Sequence, residues 1–288
     1  MTAKPRRIRT GRGAARRRSP WDGAAVVILS LASAGVLFPL YWILQTSLKP
    51  AIEQLAIPPI WFPHAPTLAN YATLFRQPDI FTAIRNSLTI TTAATAVALA
   101  LGTPAAYVLA RTGIGGRGLP FAILLVRMTP PIAMVLPFFL FAKAAGLLDS
   151  SPAVIATYAF FTLPVVIWMM LGFLAEVPVE LEEAAQVDGC SRPRAFLQVV
   201  LPLAAPGLAA TAILTALLIW NEFLFALVLT RARTRTLPVL VNFLVTQRTV
   251  DYGLMCAMGV LMAAPMVLFG LLVQKHLVRG LTLGAVKG

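Results

Sequence analysis

Long apolar stretches, not alternation, dominate the chain. Six of them reach the about 20 residues that a helix needs to cross a hydrocarbon core. They are Ala24–Thr46, Asn86–Ala110, Leu119–Ala142, Ala153–Leu174, Leu208–Leu229 and Tyr252–Lys275. All are far longer than the roughly 10-residue alternating segments of a membrane barrel, and a helix satisfies its own backbone inside lipid. The pattern predicts an all-α, polytopic membrane protein with six transmembrane helices. Polar positions gather between the stretches, and one such segment stands out. "EEAAQVDGCSRPRAFLQVVLPLAAPG", Glu182 to Gly207, holds three of the chain's 11 acidic residues.

The local chemistry of that segment spells helix, turn, helix. Pro178 suits a first helical turn, where no amide donor is needed. The spacing predicts a helix over Val179–Asp188, with Glu180, Glu182 and Glu183 toward its N-terminus, where the dipole favours negative charge. Gly189 stops it, as a residue free to take positive φ. Ser191 caps a second helix with Pro193 in its opening turn. Phe196, Val199, Val200 and Leu201 follow at helical spacing, and Pro202 closes it. Ala184 and Ala185 give the first helix a low-profile face that another surface can approach closely. On these properties alone an ordinary amphipathic loop is the favoured reading.

Composition supports the membrane reading. Of 288 residues, 58% are hydrophobic and 12% charged, with a mean hydropathy of +0.80; soluble domains are about a quarter charged. The net charge of +13 is uneven, because eight of the 24 Lys/Arg fall in "MTAKPRRIRTGRGAARRR". That stretch has neither aromatic residues nor apolar periodicity. Residues 1–22 read as a disordered basic cytosolic tail and 23–288 as the membrane domain, so membrane lipid rather than nucleic acid is the expected partner of the charge. Ala32-Ser33-Ala34 mimics a signal-peptide cleavage site, but the apolar sequence runs on, which favours a retained first helix. The positive-inside rule then places both termini and the loop 176–202 in the cytosol. The outer segment with Arg231, Arg233, Arg235 and Arg248 dissents. Cys190 and Cys256 offer no disulfide framework or metal spacing, His64 and His276 are isolated, and no metal site is expected.

The spacing Glu183-Ala184-Ala185, then Gly189, then Val199 and Leu201-Pro202 resembles the EAA loop of ABC-importer permeases. "PTLANY" (Pro66–Tyr71), "RNSL" (Arg85–Leu88), "WNEF" (Trp220–Phe223) and "GLTLGAVKG" (Gly280–Gly288) are similar to the carbohydrate-uptake permeases of the maltose-importer type. The likeness covers residues 24–288 and leaves out the basic tail. Cys190, where that family usually has Ala, and the arginine-rich outer loop depart from its pattern. The resemblance implies a type I ABC importer permease fold in the cytoplasmic membrane. It also implies that the loop 176–202 is a coupling helix docking on an ATPase, with Glu183, Ala184, Ala185, Asp188 and Gly189 as its contact residues. The implied partners are a second homologous permease, two ATP-binding subunits and an extracytoplasmic sugar-binding protein.

The chain lacks the GxxxxGK[ST] phosphate cradle of an ATPase, so no cofactor is expected in this chain and energy must come from a partner. Gly113–Gly118 matches GxGxxG but sits between two apolar stretches without a preceding strand, and reads as a flexible turn. Arg127 and Glu222 are the charges inside the predicted spans, and such charges usually face a cavity or a partner. Glu222 follows Trp220 and Asn221, an aromatic ring beside an amide and a carboxylate, as sugar sites use. Pairing of Glu222 with Arg231, and a structural ion pair or snorkelling for Arg127, are the plainer alternatives. The segment Arg127–Pro137, which includes Thr129, carries prolines that break helix hydrogen bonds. Trp220, Asn221, Glu222, Arg127 and Thr129 are therefore the substrate-path candidates. An intramembrane enzyme would need more polar groups within spans than one Glu and one Arg. The resemblance implies a sugar, mono-, di- or oligosaccharide, as cargo; the alternative is a phosphorylated or amino-bearing polyol such as a glycerophosphodiester, which the basic outer loop suits.

Overall fold

The structure is a computed structural model that describes the backbone of residues 20–116, 118–244 and 251–284, and side chains within 23–116, 118–242 and 251–271. Every regular element among these residues is helical. In order they are α1 (Pro20–Ser47), α2 (Ala51–Gln54), α3 (Ala69–Phe75), α4 (Ile80–Thr112), α5 (Gly118–Met128), α6 (Pro131–Ala144), α7 (Ser151–Ala175), α8 (Val179–Val187), α9 (Arg192–Ala195), a π-helical turn (Phe196–Val200), α10 (Leu201–Leu203), α11 (Ala205–Trp220), α12 (Leu224–Leu229), α13 (Leu237–Leu244) and α14 (Tyr252–Gly284). The basic tail expected over residues 1–22 lies outside the described side chains.

Among the described residues four helices are long and apolar enough to cross a membrane, or up to six if each of two bent pairs counts as one span. The third predicted stretch is not one rod. It breaks between Met128 and Pro131 into α5 and α6, which bend by 85°. Pro130 and Pro131 have no amide to donate, so the ladder cannot continue there. The fifth stretch also departs from expectation. Helix α11 stops at Trp220, not Leu229, and its other end bends by 78° from Arg192–Leu203. The second helix of the acidic segment likewise runs past Pro202 to Leu203, after a π-helical turn.

Helix α7 is the centre: 56% of its most apolar window is buried, against none of α1's. Its main partner is α4, which turns a stripe of small residues toward it. Ala94, Ala98, Gly102 and Ala106 are buried at helical spacing. The approach is so close that a Cβ on Gly102 would lie 2.6 Å from Val166 Cγ1. Lipid is as apolar as leucine, so such close packing, with hydrogen bonds, is what joins helices in a bilayer. Three buried threonines close their hydroxyls on their own helices: Thr157 to Ala153 O at 2.8 Å, Thr162 to Tyr158 O at 2.8 Å and Thr211 to Gly207 O at 2.8 Å. Large exposed side chains such as Val36, Leu101, Leu136 and Leu271 form the outer face suited to hydrocarbon.

Connecting segments gather at two ends of the bundle. Residues 113–116 and 176–191 gather at the α8 end, and residues 145–150 and 230–236 at the α12 end.

Candidate functional site

At the α8 end, the helix start and stop follow the sequence. Pro178 precedes α8, and Gly189 takes φ +92° just after it. A Cβ at Gly189 would meet nothing within 4 Å. The glycine is therefore needed for its backbone conformation and not for space. Glu183, Ala184, Asp188 and Gly189 are exposed and Ala185 is half-buried. Val187 beside them is 87% exposed, so the outer face of α8 is a mixed acidic, small and apolar surface. Ser191 takes the extended N-cap conformation but makes no side-chain cap bond.

The inner face of α8 is held by a charge that the sequence placed at the helix N-terminus without a partner. Glu182 is the one buried residue of the helix. Its Oε2 accepts from Arg111 Nε at 2.9 Å, and its Oε1 accepts from the Tyr107 hydroxyl. Arg111 also donates from Nη2 to Val177 O at 3.0 Å. The Tyr107 ring lies 4.5 Å from that of Phe196. A groove of about 550 Å³ opens beside these groups, lined by Pro104, Arg111, Glu183 and Arg192 among others. The spacing of Tyr107 and Arg111, one helical turn apart at the end of α4, is the sequence signal that could have pointed to a shared partner.

The path candidates fall in two places. Arg127 and Glu222, 95 residues apart in sequence, line one cavity with Pro131, Tyr158, Thr162 and Phe225. No ion pair joins the two, and none links Glu222 to Arg231. Glu222 instead caps α12: its carboxylate accepts from Phe225 N at 3.1 Å and from Ala226 N at 3.3 Å. Asn221, exposed at the end of α11, donates to Leu217 O at 2.8 Å. Glu222 thus satisfies amides that open at the start of α12, and Asn221 adds a second donor to a carbonyl in the last turn of α11. Thr129 is half-buried at the bend between α5 and α6. The cavity measures about 120 Å³. Small-molecule pockets begin at about 300 Å³, so in this conformation it fits water and not a sugar. Trp220 stands apart. Its ring is 3% exposed and donates from Nε1 to Met262 O at 3.0 Å. The ring is a packing element against α14 here, with no open face for stacking.

The α12 end is organised by Asp149, which the sequence reading passed over. Asp149 takes φ +55°, rare for a residue with a side chain. Its carboxylate accepts from Arg231 N at 2.9 Å, Arg233 N at 3.2 Å, Thr234 N at 3.0 Å and Thr234 Oγ1 at 2.7 Å. Burial alone would raise its pKa, but these donors outweigh burial and hold the carboxyl below its ordinary value. Asn86 donates to Arg233 O at 2.9 Å and Arg235 O at 3.0 Å, and Ser87 Oγ accepts from Leu237 N at 2.8 Å. The arginine loop thus has a fixed backbone. Arg235 reaches Asp79 at 3.3 Å, whereas the Arg233 side chain is 81% exposed. The "PTLANY" motif braces the exit of α1 in the same way, with Asn70 donating to Ser47 O at 2.8 Å and Lys49 O at 3.0 Å.

Comparison with known proteins follows the same outline. The family described as "binding-protein-dependent transport system inner membrane component" matches residues 98–283. The diacetylchitobiose uptake system permease protein DasC of Streptomyces coelicolor is 34% identical over 93% of this chain and 97% of its own. The trehalose transport system permease protein SugB of Mycobacterium tuberculosis is 37% identical over 95% of this chain and 99% of its own. A crystal structure of a bacterial ABC transporter that imports the acidic polysaccharide alginate contains a chain with TM-score 0.75. That chain is 24% identical, and the match covers 90% of this chain and 98% of that one. At that identity the likeness speaks for the fold, a type I ABC importer permease.

Proposed function

The chain belongs to the family of binding-protein-dependent transport system inner membrane components, and from that premise we propose that it is the permease subunit of an ATP-driven importer carrying a sugar across the cytoplasmic membrane. It is a multi-pass membrane protein and a transport subunit, without catalysis of its own. Hydrolysis of ATP belongs to two separate partner subunits. A second homologous permease completes the path, and an extracytoplasmic binding protein delivers the solute. Both termini and α8 face the cytosol, and the loop 230–236 faces outward.

The observation that carries this reading is α8: a short helix outside the spans, stopped by a positive-φ glycine, with Glu183, Ala184 and Asp188 open to a partner. Closure of the ATPase pair would move α8, and α8 would carry the spans from an inward-open to an outward-open arrangement. Arg127, Thr129, Asn221 and Glu222 border the breaks in α5–α6 and α11–α12, where non-helical backbone at membrane depth must line a cavity or protein. Trp220 enters the path only if α14 withdraws. A second reading keeps the machine and changes the cargo to a phosphorylated or amino-bearing polyol. It rests on the outward arginines Arg231 and Arg233, both exposed on a fixed loop.

The test is Gly189→Val. A β-branched residue is strained at φ +92°, so the turn after α8 should change shape. The ATPase should no longer co-purify, with the chain still inserted in the membrane. Normal co-purification of the ATPase with this variant would overturn the assignment of α8 as the docking helix.

A further inference from the structure

We propose that Arg111 and Glu182, with Tyr107, form the clamp that makes α8 and α4 move as one body, and that this pair sets how much transport each ATP drives. The inference rests on the reading of α8 as the docking helix. Three observations lead to it.

First, α8 has little apolar hold on the bundle. Its hydrophobic residues Val179, Leu181 and Val187 are 45%, 45% and 87% exposed. Glu182 is its one buried residue, so the inward grip is polar. Second, the grip is geometrically specific. The Arg111 side chain is 12% and the Glu182 side chain 6% exposed, with Nε and Oε2 2.9 Å apart. One guanidinium binds both α8 and, through Val177 O at 3.0 Å, the turn that leads into it. Its planar fork suits two fixed acceptors, as a lysine ammonium would not. Third, α4 links the two ends. It carries Tyr107 and Arg111 at the α8 end, and Asn86 and Ser87, which hold the loop 230–236, at the other. Between them it is packed tightly on α7 at Gly102. A push on α8 therefore passes through the clamp to α4, and through α4 to the outward loop.

Arg111 and Glu182 are positioning residues: they touch neither ATP nor solute. The experiment uses the whole importer, with both permeases, the ATPase subunits and the binding protein, in lipid vesicles. Solute uptake and ATP hydrolysis are measured together for wild type, Glu182→Gln and the double variant Arg111→Gln with Glu182→Gln. The double variant leaves no buried charge unpaired and so guards against simple misfolding. Both variants should keep the ATPase bound and hydrolysing. Solute moved per ATP should fall roughly five-fold or more, the lower end of ordinary coupling energies. A parallel fall of uptake and hydrolysis overturns the proposal, because it marks a merely structural role. Loss of ATPase binding in either variant also overturns it, because the pair would then govern docking and not transmission. Full coupling in the double variant overturns it too. Absence of ATP-driven uptake in wild type is a separate outcome that would sink the parent reading instead.

Discussion

At the α8 end a carboxylate and a guanidinium are buried together, and the helix they hold turns its other face outward. At the α12 end a carboxylate binds mainly backbone amides, and two of the three arginines beside it turn their side chains to solvent. The Glu182–Arg111 pair is bonded to α4 directly and the loop held by Asp149 is bonded to α4 through Asn86 and Ser87, yet the two anchors fix different things. The Glu182–Arg111 pair holds one face of a whole helix and leaves its other face exposed. Asp149 fixes the path of a loop through its backbone amides and leaves the Arg231 and Arg233 side chains exposed. Inside the hydrocarbon, lipid competes for every apolar surface on equal terms, and at both ends the few apolar contacts leave the geometry to polar groups. Directional polar bonds set geometry there.

The strongest test of this contrast is Glu182→Ala. It strands the Arg111 guanidinium without its carboxylate in a site where its side chain is 12% exposed. Removing one partner of a buried pair costs about 3–5 kcal/mol. The loss should be local, so hydrogen exchange across residues 179–187 should accelerate while α4 and α7 stay protected. Unchanged exchange in α8 would mean that apolar packing, not the pair, holds the helix.

Asp149→Ala comes next. Hydrogen bonds to a charged group contribute about 1.5–3 kcal/mol, and the alanine also loses a side chain that tolerates positive φ. The loop 230–236 should open in exchange measurements, and α8 should not respond. The same anchor predicts a pH dependence. The carboxyl is held below its ordinary value of about 3.9, so its stabilisation is fully present above that value. It is lost as pH falls through the lower folded value. Asp149→Asn should remove this acid sensitivity, and an unaltered acid response in that variant would assign it to another carboxylate.

Glu222→Ala tests a smaller anchor of the Asp149 type, a carboxylate on backbone amides. Loss of a helix-capping side chain costs about 0.5–2 kcal/mol. Exchange should rise in α12 alone. Glu222→Gln keeps one acceptor oxygen and should fray α12 less. If uptake also falls in Glu222→Gln while α12 stays protected, the carboxylate acts on the solute path beyond its capping role.

What the sequence made legible follows from what is local. The break at Pro130-Pro131 could be read because a missing amide is a property of the residue. The bounds of α8 could be read because Pro178 and Gly189 act on their own turns. Arg127 and Glu222 could be singled out as intramembrane charges, but not their meeting at one cavity. The role of Glu182 was hidden because its neighbour Glu183 has the same side chain, and which of the two is buried depends on Arg111, 71 residues away. Asp149 was hidden for the same reason, since its donors lie 82 to 85 residues on. The break after Trp220 was missed because the capping by Glu222 emerges only once α12 has turned. Trp220 was read as an open ring because nothing nearby in sequence announces Met262 and the approach of α14.

The smallest expected effect is the sharpest check on the difference between the two ends. Arg233→Gln removes a guanidinium whose side chain is 81% exposed and whose Nε sits 3.8 Å from Asp149 Oδ2. At that exposure and distance an ion pair is screened by water and offset by side-chain entropy, and it contributes within about 0.5 kcal/mol of nothing. The bond that does hold the loop, from the residue 233 amide to Asp149 Oδ2, survives in glutamine. The bond from Asn86 to the 233 carbonyl survives as well. Exchange across 230–236 should therefore match wild type, and so should thermal stability in detergent. Any change should appear only in how uptake depends on salt, because a solvent-exposed charge acts through the solution field and fades with ionic strength. If Arg233→Gln instead loosens the loop as much as Asp149→Ala does, then side chains hold both ends and the distinction between them fails.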